Sequence, residues 1–257
     1  MTAQEIRREF EENRREDPAC EERLRELIRL YGEDERSSVR AQAARAARYL
    51  DGLKTERKRT ESMLQFEKKY GAKGYARICG IDEAGRGPLA GPVVAGAVIL
   101  PRDCRILYLN DSKQLTPKKR EELYEVIMQE ADVGIGYASP ERIDEINILQ
   151  ATYEAMREAV VGLSVEPDLL LNDAVTIPLF SMHQTPIIKG DAKSASIAAA
   201  SIVAKVTRDR LMEEYDKVFP EYGFASNKGY GAAAHIEALK KYGPSPIHRR
   251  TFIGHFI

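Results

Sequence analysis

The sequence predicts an α/β fold: a mixed sheet flanked by helices, with an appended amino-terminal helical segment. Three observations predict it. Short apolar runs close in acids at Asp82, Asp173 and Asp191, as buried strands do where they leave the core. From Tyr75 onward two strand-like runs come first and helix-like and strand-like stretches then alternate, the pattern of a mixed sheet covered on both faces. Residues 1–72 instead have a charged, helical texture. The expected division is a helical extension over 1–72 and a sheet domain over 73–257.

In chain order, Thr2 with Glu5 forms a capping box opening a helix. Asp17-Pro18 suits the cap and first turn of a second. Leu24, Leu27, Ile28 and Tyr31 give that helix one apolar stripe, and Gly32 can end it. A third helix is expected from near Ser38 to Tyr70, with Gly71-Ala72-Lys73-Gly74 as a hinge. The basic run from Lys54 to Arg59 could touch nucleic acid, but a solvated helix face is the preferred reading. A first strand then ends at Asp82, and Gly91–Leu100 supplies a second. A helix over Pro117–Glu130, a strand over Val133–Ala138 and a helix from Glu141 to about Val161 lead into the Asp173 strand. Pro186–Gly190 reads as a strand closed by Asp191. Ser194 caps a long helix whose small residues let it approach the sheet closely.

Composition bounds the function without choosing it. The 257 residues suffice for one substantial core plus an appendage. Lys and Arg number 39 against 40 Asp and Glu, a net charge of -1, so any nucleic-acid surface must be a local patch. No apolar run is long enough for a bilayer span, and Met1–Glu5 lacks a signal peptide's apolar core. Cys20, Cys79 and Cys104 show no paired spacing and suit a reducing cytoplasm; Cys79 reads as a small strand residue. The four histidines, His183, His235, His248 and His255, show no metal-ligand spacing and are expected to be structural or solvent-facing.

The chemistry concentrates in Asp82-Glu83-Ala84-Gly85-Arg86-Gly87. Successive strand residues face opposite sides, so the expectation is that the strand stops at Asp82 and Glu83 swings round to the same centre. Adjacent carboxylates repel and are costly to hold ionised without a cation between them. Oxygen-only ligands favour a hard ion such as Mg²⁺ or Mn²⁺. If the Asp173 and Asp191 strands run parallel to the first, all these acids emerge at one sheet edge, where open α/β sheets place their sites. A lone aspartate after a strand is usually a turn former or cap; four acids together read as a metal site.

These residues carry a family resemblance. Gly80-Ile81-Asp82-Glu83-Ala84-Gly85-Arg86-Gly87-Pro88 resembles the opening motif of bacterial ribonuclease HII. Asp111-Ser112-Lys113-Gln114-Leu115, Lys189–Ser194 running into Ser196–Lys205, Asn227-Lys228-Gly229-Tyr230-Gly231 and Gly243–Arg250 resemble later motifs, in the family's order, over about 74–257. The related ribonuclease HIII family typically has Ser and Lys where this chain has Ala84 and Arg86. One departure stands out: the family often has glycine after the third acid, and here Ala174 follows Asp173.

The resemblance implies a ribonuclease H-like fold with Asp82, Glu83, Asp173 and Asp191 as catalytic metal ligands. It implies two Mn²⁺ or Mg²⁺ ions, one at each end of an in-line displacement. The implied activity is hydrolysis of the RNA strand of RNA–DNA hybrids and incision 5′ of ribonucleotides in duplex DNA, leaving 3′-hydroxyl and 5′-phosphate ends. That would serve ribonucleotide excision repair and replication in the cytoplasm, as a monomer away from membranes. Gly85, Arg86 and Gly87 would read the ribose hydroxyl, where glycine lets backbone approach a sugar. Tyr230 would pack on the neighbouring deoxyribose. Lys113, Lys193, Lys228, Arg249 and Arg250 are candidate phosphate contacts, Lys113 foremost because its loop matches the family. Two rivals are a phosphotransferase of the actin or sugar-kinase type, whose Asp-x-Gly-x-Thr turn is absent here, and a non-catalytic hybrid-binding module, which has no need of four converging acids.

Overall fold

The computed structural model describes residues 1–257, which divide into two compact units, Met1–Glu61 and Ser62–Ile257. The first unit is built from α1 (Ala3–Glu12), α2 (Pro18–Tyr31) and most of α3 (Ser37–Met63). Its helices begin where the caps predict. The Thr2 hydroxyl accepts from Glu5 N at 3.2 Å, Glu5 Oε2 accepts from Thr2 N at 2.7 Å, and Asp17 caps Cys20 N at 3.0 Å. Ile6, Phe10, Leu24, Leu27, Val39, Ala43 and Ala46 are buried together as one small core. Two of the four cations in the Lys54–Arg59 run are committed at home. Arg57 donates to the buried carboxylate of Glu21, and Arg59 to Glu56 at 2.7 Å.

In the second unit, α4 (Gln65–Gly71) follows α3 after a break at Leu64, whose ψ of 8° leaves the helical region. The single long helix expected from Ser38 to Tyr70 is therefore two. The sheet contains β1 (Ile78–Ala84), β2 (Val93–Ile99), β3 (Asp132–Ala138), β4 (Leu169–Asp173) and β5 (His183–Ile187), in the order β3-β2-β1-β4-β5. β1 pairs antiparallel with β2 and parallel with β4, which pairs parallel with β5. β1, β4 and β5 thus run parallel, the condition under which the acids at or beyond their ends share one sheet edge. Leu169, Leu170 and Leu171 are fully buried, each such side chain contributing roughly 1.5–3 kcal/mol.

Helices α5 (Pro117–Glu130) and α7 (Ala195–Val218) pack on one sheet face and α6 (Pro140–Val161) on the other. The α7 approach is close because Gly80 of β1 has no side chain; a Cβ there would lie 2.1 Å from the Ser196 carbonyl carbon. No Cβ-bearing residue fits at that contact. α6 is broken at Asn147, where φ is 69°, and the Asn147 carboxamide oxygen accepts from Leu149 N and Gln150 N to restart the helix. The chain closes with α8 (Phe224–Asn227), α9 (Ala233–Tyr242) and α10 (Arg250–Ile253). No helix is long and apolar enough to cross a membrane.

Two strand boundaries differ from expectation. β1 does not stop at Asp82 but runs to Ala84, because antiparallel pairing with β2 continues through Glu83↔Ala95 and Ala84↔Val94. β5 ends at Ile187, so Asp191 does not close a strand; it sits in a 3₁₀ turn, Gly190–Ala192. A left-handed residue, Lys189 at φ 56°, makes that bend.

Candidate active site

Pairing between β1 and β4 ends at Ile81↔Asn172. Past that point the strands have no shared ladder, and a cleft of about 670 Å³ opens there. Asp82, Glu83, Asp173 and Asp191 all line it. Asp82 and Glu83 both reach it although β1 continues, because the cleft opens at the end of the strand rather than on one of its faces. Asp82 follows Gly80 on the α7 side and is hydrogen-bonded by Ser201, whose hydroxyl oxygen lies 3.0 Å from that of Ser112. Asp173 Oδ1 accepts from Gly190 N at 2.7 Å, which ties the end of β4 to the turn carrying Asp191.

Asp82, Glu83 and Asp191 are held in an environment that resists their charge. Burial first, and then the neighbouring Glu83 carboxylate, push Asp82 well above the usual carboxylate range. Burial raises Glu83 despite the opposing pull of Arg86, whose Nη1 donates to Glu83 Oε1 at 3.2 Å. Asp191 is raised by burial and by the nearby Asp111 and Asp173 carboxylates. A cluster of carboxylates, Asp82 buried and the other three half-buried, with no nitrogen or sulfur among them, fits a hard divalent cation. The acids border the cleft without any three closing into a finished cage.

Beside the acids lies the Gly85-Arg86-Gly87 turn. Gly85 has φ 95°, and a Cβ there would fall 2.1 Å from Arg208 Nε and 2.7 Å from the Pro92 carbonyl oxygen. Two buried arginines grip backbone carbonyls here: Arg249 those of the turn itself, and Arg208 those of the segments packed against it. Arg249 donates to Gly85 O at 2.5 Å, Arg86 O at 2.9 Å and Gly91 O at 2.8 Å. Arg208 donates to Pro92 O at 2.9 Å, Lys228 O at 2.9 Å and Ala90 O at 3.1 Å. Burial pushes both guanidinium groups down from their usual range, and for Arg249 the charge of Arg208 adds to the effect. With its donors turned to the backbone and its side chain fully enclosed, Arg249 cannot be the phosphate contact its charge suggested.

Gly85, Arg86, Gly87, Lys113 and Tyr230 share the cleft with the acids, and Tyr230 is half-exposed there. The other candidate cations do not line it. Lys228 is turned to Glu213 and the Ala225 carbonyl, both at 2.7 Å. Lys193 donates to Ile188 O at 2.8 Å. Arg250 is exposed at the start of α10, where Asp144 Oδ2 accepts from its backbone N–H at 2.7 Å.

Other residues of the site gave a weaker signal. Ser201, Lys205 and Arg208 line the cleft from α7 at positions i, i+4 and i+7; a polar stripe at that spacing on an alanine-rich helix marks one face and could have been read. Ile148 and Phe252 add an apolar wall. Glu67 of α4 had no local signal at all. Its Oε1 accepts from Ser194 Oγ at 2.6 Å, Ser196 Oγ at 2.6 Å and Ser196 N at 3.0 Å, bracing the start of α7 just after Asp191.

Comparison with known proteins agrees with this arrangement. Residues 79–255 match the family model for ribonuclease HII, and residues 2–71 match the model for the ribonuclease HII N-terminal domain. The ribonuclease HII of Lachnoclostridium phytofermentans is 66% identical over 224 residues, which are 87% of either chain. That of Clostridioides difficile is 55% identical over 233 residues, covering 90% of this chain and 91% of the relative. Among solved structures, the ribonuclease H2 of Pyrococcus horikoshii superposes with a TM-score of 0.58 at 32% identity, over 68% of this chain and 93% of that one. The five-stranded mixed sheet with its flanking helices is thus the ribonuclease H-like architecture, and the chain belongs to the ribonuclease HII family.

Proposed function

We propose that this ribonuclease is a divalent-metal-dependent endonuclease that cuts the RNA strand of hybrids and incises duplex DNA on the 5′ side of an embedded ribonucleotide. Degradation of RNA in RNA–DNA hybrids is the activity of its family. The observation that carries the finer reading is the meeting, in one cleft, of four mutually repelling carboxylates with a glycine-flanked turn whose backbone is locked by Arg249.

In this reading Asp82, Glu83, Asp173 and Asp191 hold the metal. When bound, Mg²⁺ or Mn²⁺ supplies a water ionised near neutral pH and stabilises charge on the leaving oxygen. The chain's own residues do the rest. Lys113 meets the backbone phosphates at the cleft. The Gly85-Arg86-Gly87 turn recognises the 2′-hydroxyl, which both donates and accepts and so tells RNA from DNA. Tyr230 offers a flat face to the deoxyribose beyond the ribonucleotide. With Arg249 gripping the turn from behind, its groups stand in place before substrate arrives, and preorganisation lowers the cost of recognition. Products with 3′-hydroxyl and 5′-phosphate ends follow when water attacks phosphorus and the bond to the 3′-oxygen breaks, that oxygen leaving as the hydroxyl. Of the two rivals, the phosphotransferase has no support from the family match, and a passive binding module leaves the acids unexplained.

The test is a DNA duplex holding one ribonucleotide, incubated with Mg²⁺, with Mn²⁺ and with chelator, beside an all-DNA duplex. Metal-dependent nicking 5′ of the ribonucleotide, with the all-DNA duplex intact, is the expected result. Cleavage of long hybrids alone would remove the junction-reading role of the turn and Tyr230. Tyr230→Ala is expected to lower incision at a lone ribonucleotide more than cleavage of a long hybrid.

A further inference from the structure

Behind Tyr230 lies a buried pair of histidines that the metal chemistry does not use. His235 and His248 are almost wholly buried and packed against Tyr222 and Phe224, with the two imidazole centroids 5.2 Å apart. His235 Nε2 and His248 Nε2 are 2.9 Å apart. His235 Nδ1 is 2.8 Å from the Tyr230 carbonyl oxygen, which also accepts from Ala232 N at 2.8 Å. His248 Nδ1 lies 3.0 Å from Ser245 N and 2.8 Å from Ser245 Oγ.

Those contacts fix every proton. A backbone N–H can only donate, so His248 Nδ1 must be bare and accept from Ser245. The neutral ring then carries its proton on Nε2 and donates to His235 Nε2, which must be bare in turn. His235 therefore holds its proton on Nδ1, facing a carbonyl that can only accept. The bonds run one way: Ser245 to His248 to His235 to Tyr230. A second proton on either ring would set two N–H groups head to head or point one at the Ser245 N–H. In keeping with this, burial lowers the pKa of both histidines; for His248, the neighbouring His235 and the charge of Arg250 add to the effect and bring it to about 4.

We propose that His235 and His248 are positioning residues, a one-way hydrogen-bond chain that clamps the backbone of Tyr230 so that its ring stands at a set angle in the cleft beside Gly87. This rests on the reading of Tyr230 as the group that senses the sugar beyond the ribonucleotide. It gives the Asn227–Gly231 and Gly243–Arg250 motifs, which are not catalytic, a shared task in specificity.

Three measurements test it. Long-range ¹H–¹⁵N spectra of the intact protein at pH 7.5 should show His235 protonated at Nδ1 and His248 at Nε2; any other tautomer pair overturns the relay without the need for a variant. The chain has no tryptophan, so Tyr230→Trp places a sole tryptophan at the position, excited selectively over the tyrosines. Adding His235→Phe should lower its steady-state anisotropy, whereas His235→Asn, which keeps a donor near the Nδ1 position, should hold it; equal anisotropy in all three proteins sinks the clamp. In the Tyr230 background, His235→Phe should cost about tenfold in lone-ribonucleotide incision, less than threefold on long hybrids, and nothing further when combined with Tyr230→Ala. Additive losses would overturn the proposal. The spectra and the anisotropy do not depend on substrate, so a clamp that holds while Tyr230→Ala loses no preference would reject the function assigned to Tyr230 and leave the clamp standing.

Discussion

The two units of this chain treat charge in opposite ways. In the amino-terminal unit a buried acid is met by a base: Glu21 is enclosed, but Arg57 and Arg25 reach it, and Arg57 holds its carboxyl below the usual range. In the cleft of the sheet unit, acids are crowded against acids and their carboxyls are pushed up. The two most buried arginines of that unit turn away from the acids and grip carbonyls instead. The first arrangement matches each buried charge with a partner; the second leaves carboxylates crowded together at a cost, which marks the cleft as a candidate functional site.

The largest expected effect lies at the cleft. Asp82→Asn should lower cleavage on the order of 10³-fold while raising the stability of the metal-free protein by about 1–2 kcal/mol, read by urea titration in chelator. Loss of both activity and stability would mean that Asp82 is an ordinary structural acid. Next comes the grip on the turn. Arg249→Met should destabilise by about 3 kcal/mol or more, because three backbone carbonyls lose their donors in a buried place.

The pH dependence of two substitutions sharpens the contrast between the units. Asp82 has a raised folded pKa, so the folded state binds the extra proton and its stability falls as pH rises from 3.8 to that pKa. The advantage of Asp82→Asn should therefore grow over that window and then level off. Glu21 has a lowered folded pKa, so its contribution is full above 4.5 and is lost as pH falls through the folded value. The deficit of Glu21→Gln, about 1 kcal/mol at neutral pH once the half-exposed partner is discounted for screening, should shrink on acidification. Trends of the same sign in the two variants would erase the distinction between the units.

The smallest effect concerns the family departure at residue 174. Ala174 has φ 57°, a left-handed conformation that a Cβ disfavours. Ala174→Gly should stabilise by about 1 kcal/mol, measured as a shift of the urea midpoint without a change in slope.

Much of this was legible in the sequence because it is local. Caps at Thr2 and Asp17, the apolar strands and the four acids each announce themselves within a few residues. Their convergence follows from parallel strands, a rule of the fold class. Most of the misreadings have long-range causes, and the one at Asp191 a local one. β1 runs past Asp82 because a partner strand some 12 residues further on keeps bonding to it. Asp191 lies beyond its strand because Lys189 bends the chain. Arg249 looks like a surface cation in sequence, and only the carbonyls of a turn far upstream show why it is buried. Glu67 could not be found at all, since its partners are Ser194 and Ser196, 127 and 129 residues away.

The grip of Arg249 on the turn also bears on the order of synthesis. The turn at Gly85 is made early, but the guanidinium that locks it is 164 residues downstream, eight residues before Ile257. Domains form as the chain emerges from its amino-terminal end, so the sheet can assemble around β1 and β2 while the Gly85-Arg86-Gly87 turn still lacks its donors. All four acids precede Arg249 in the chain, so the groups that line the cleft are made before the donors that fix the turn's carbonyls. The order of the chain separates the making of the sheet from the locking of the turn.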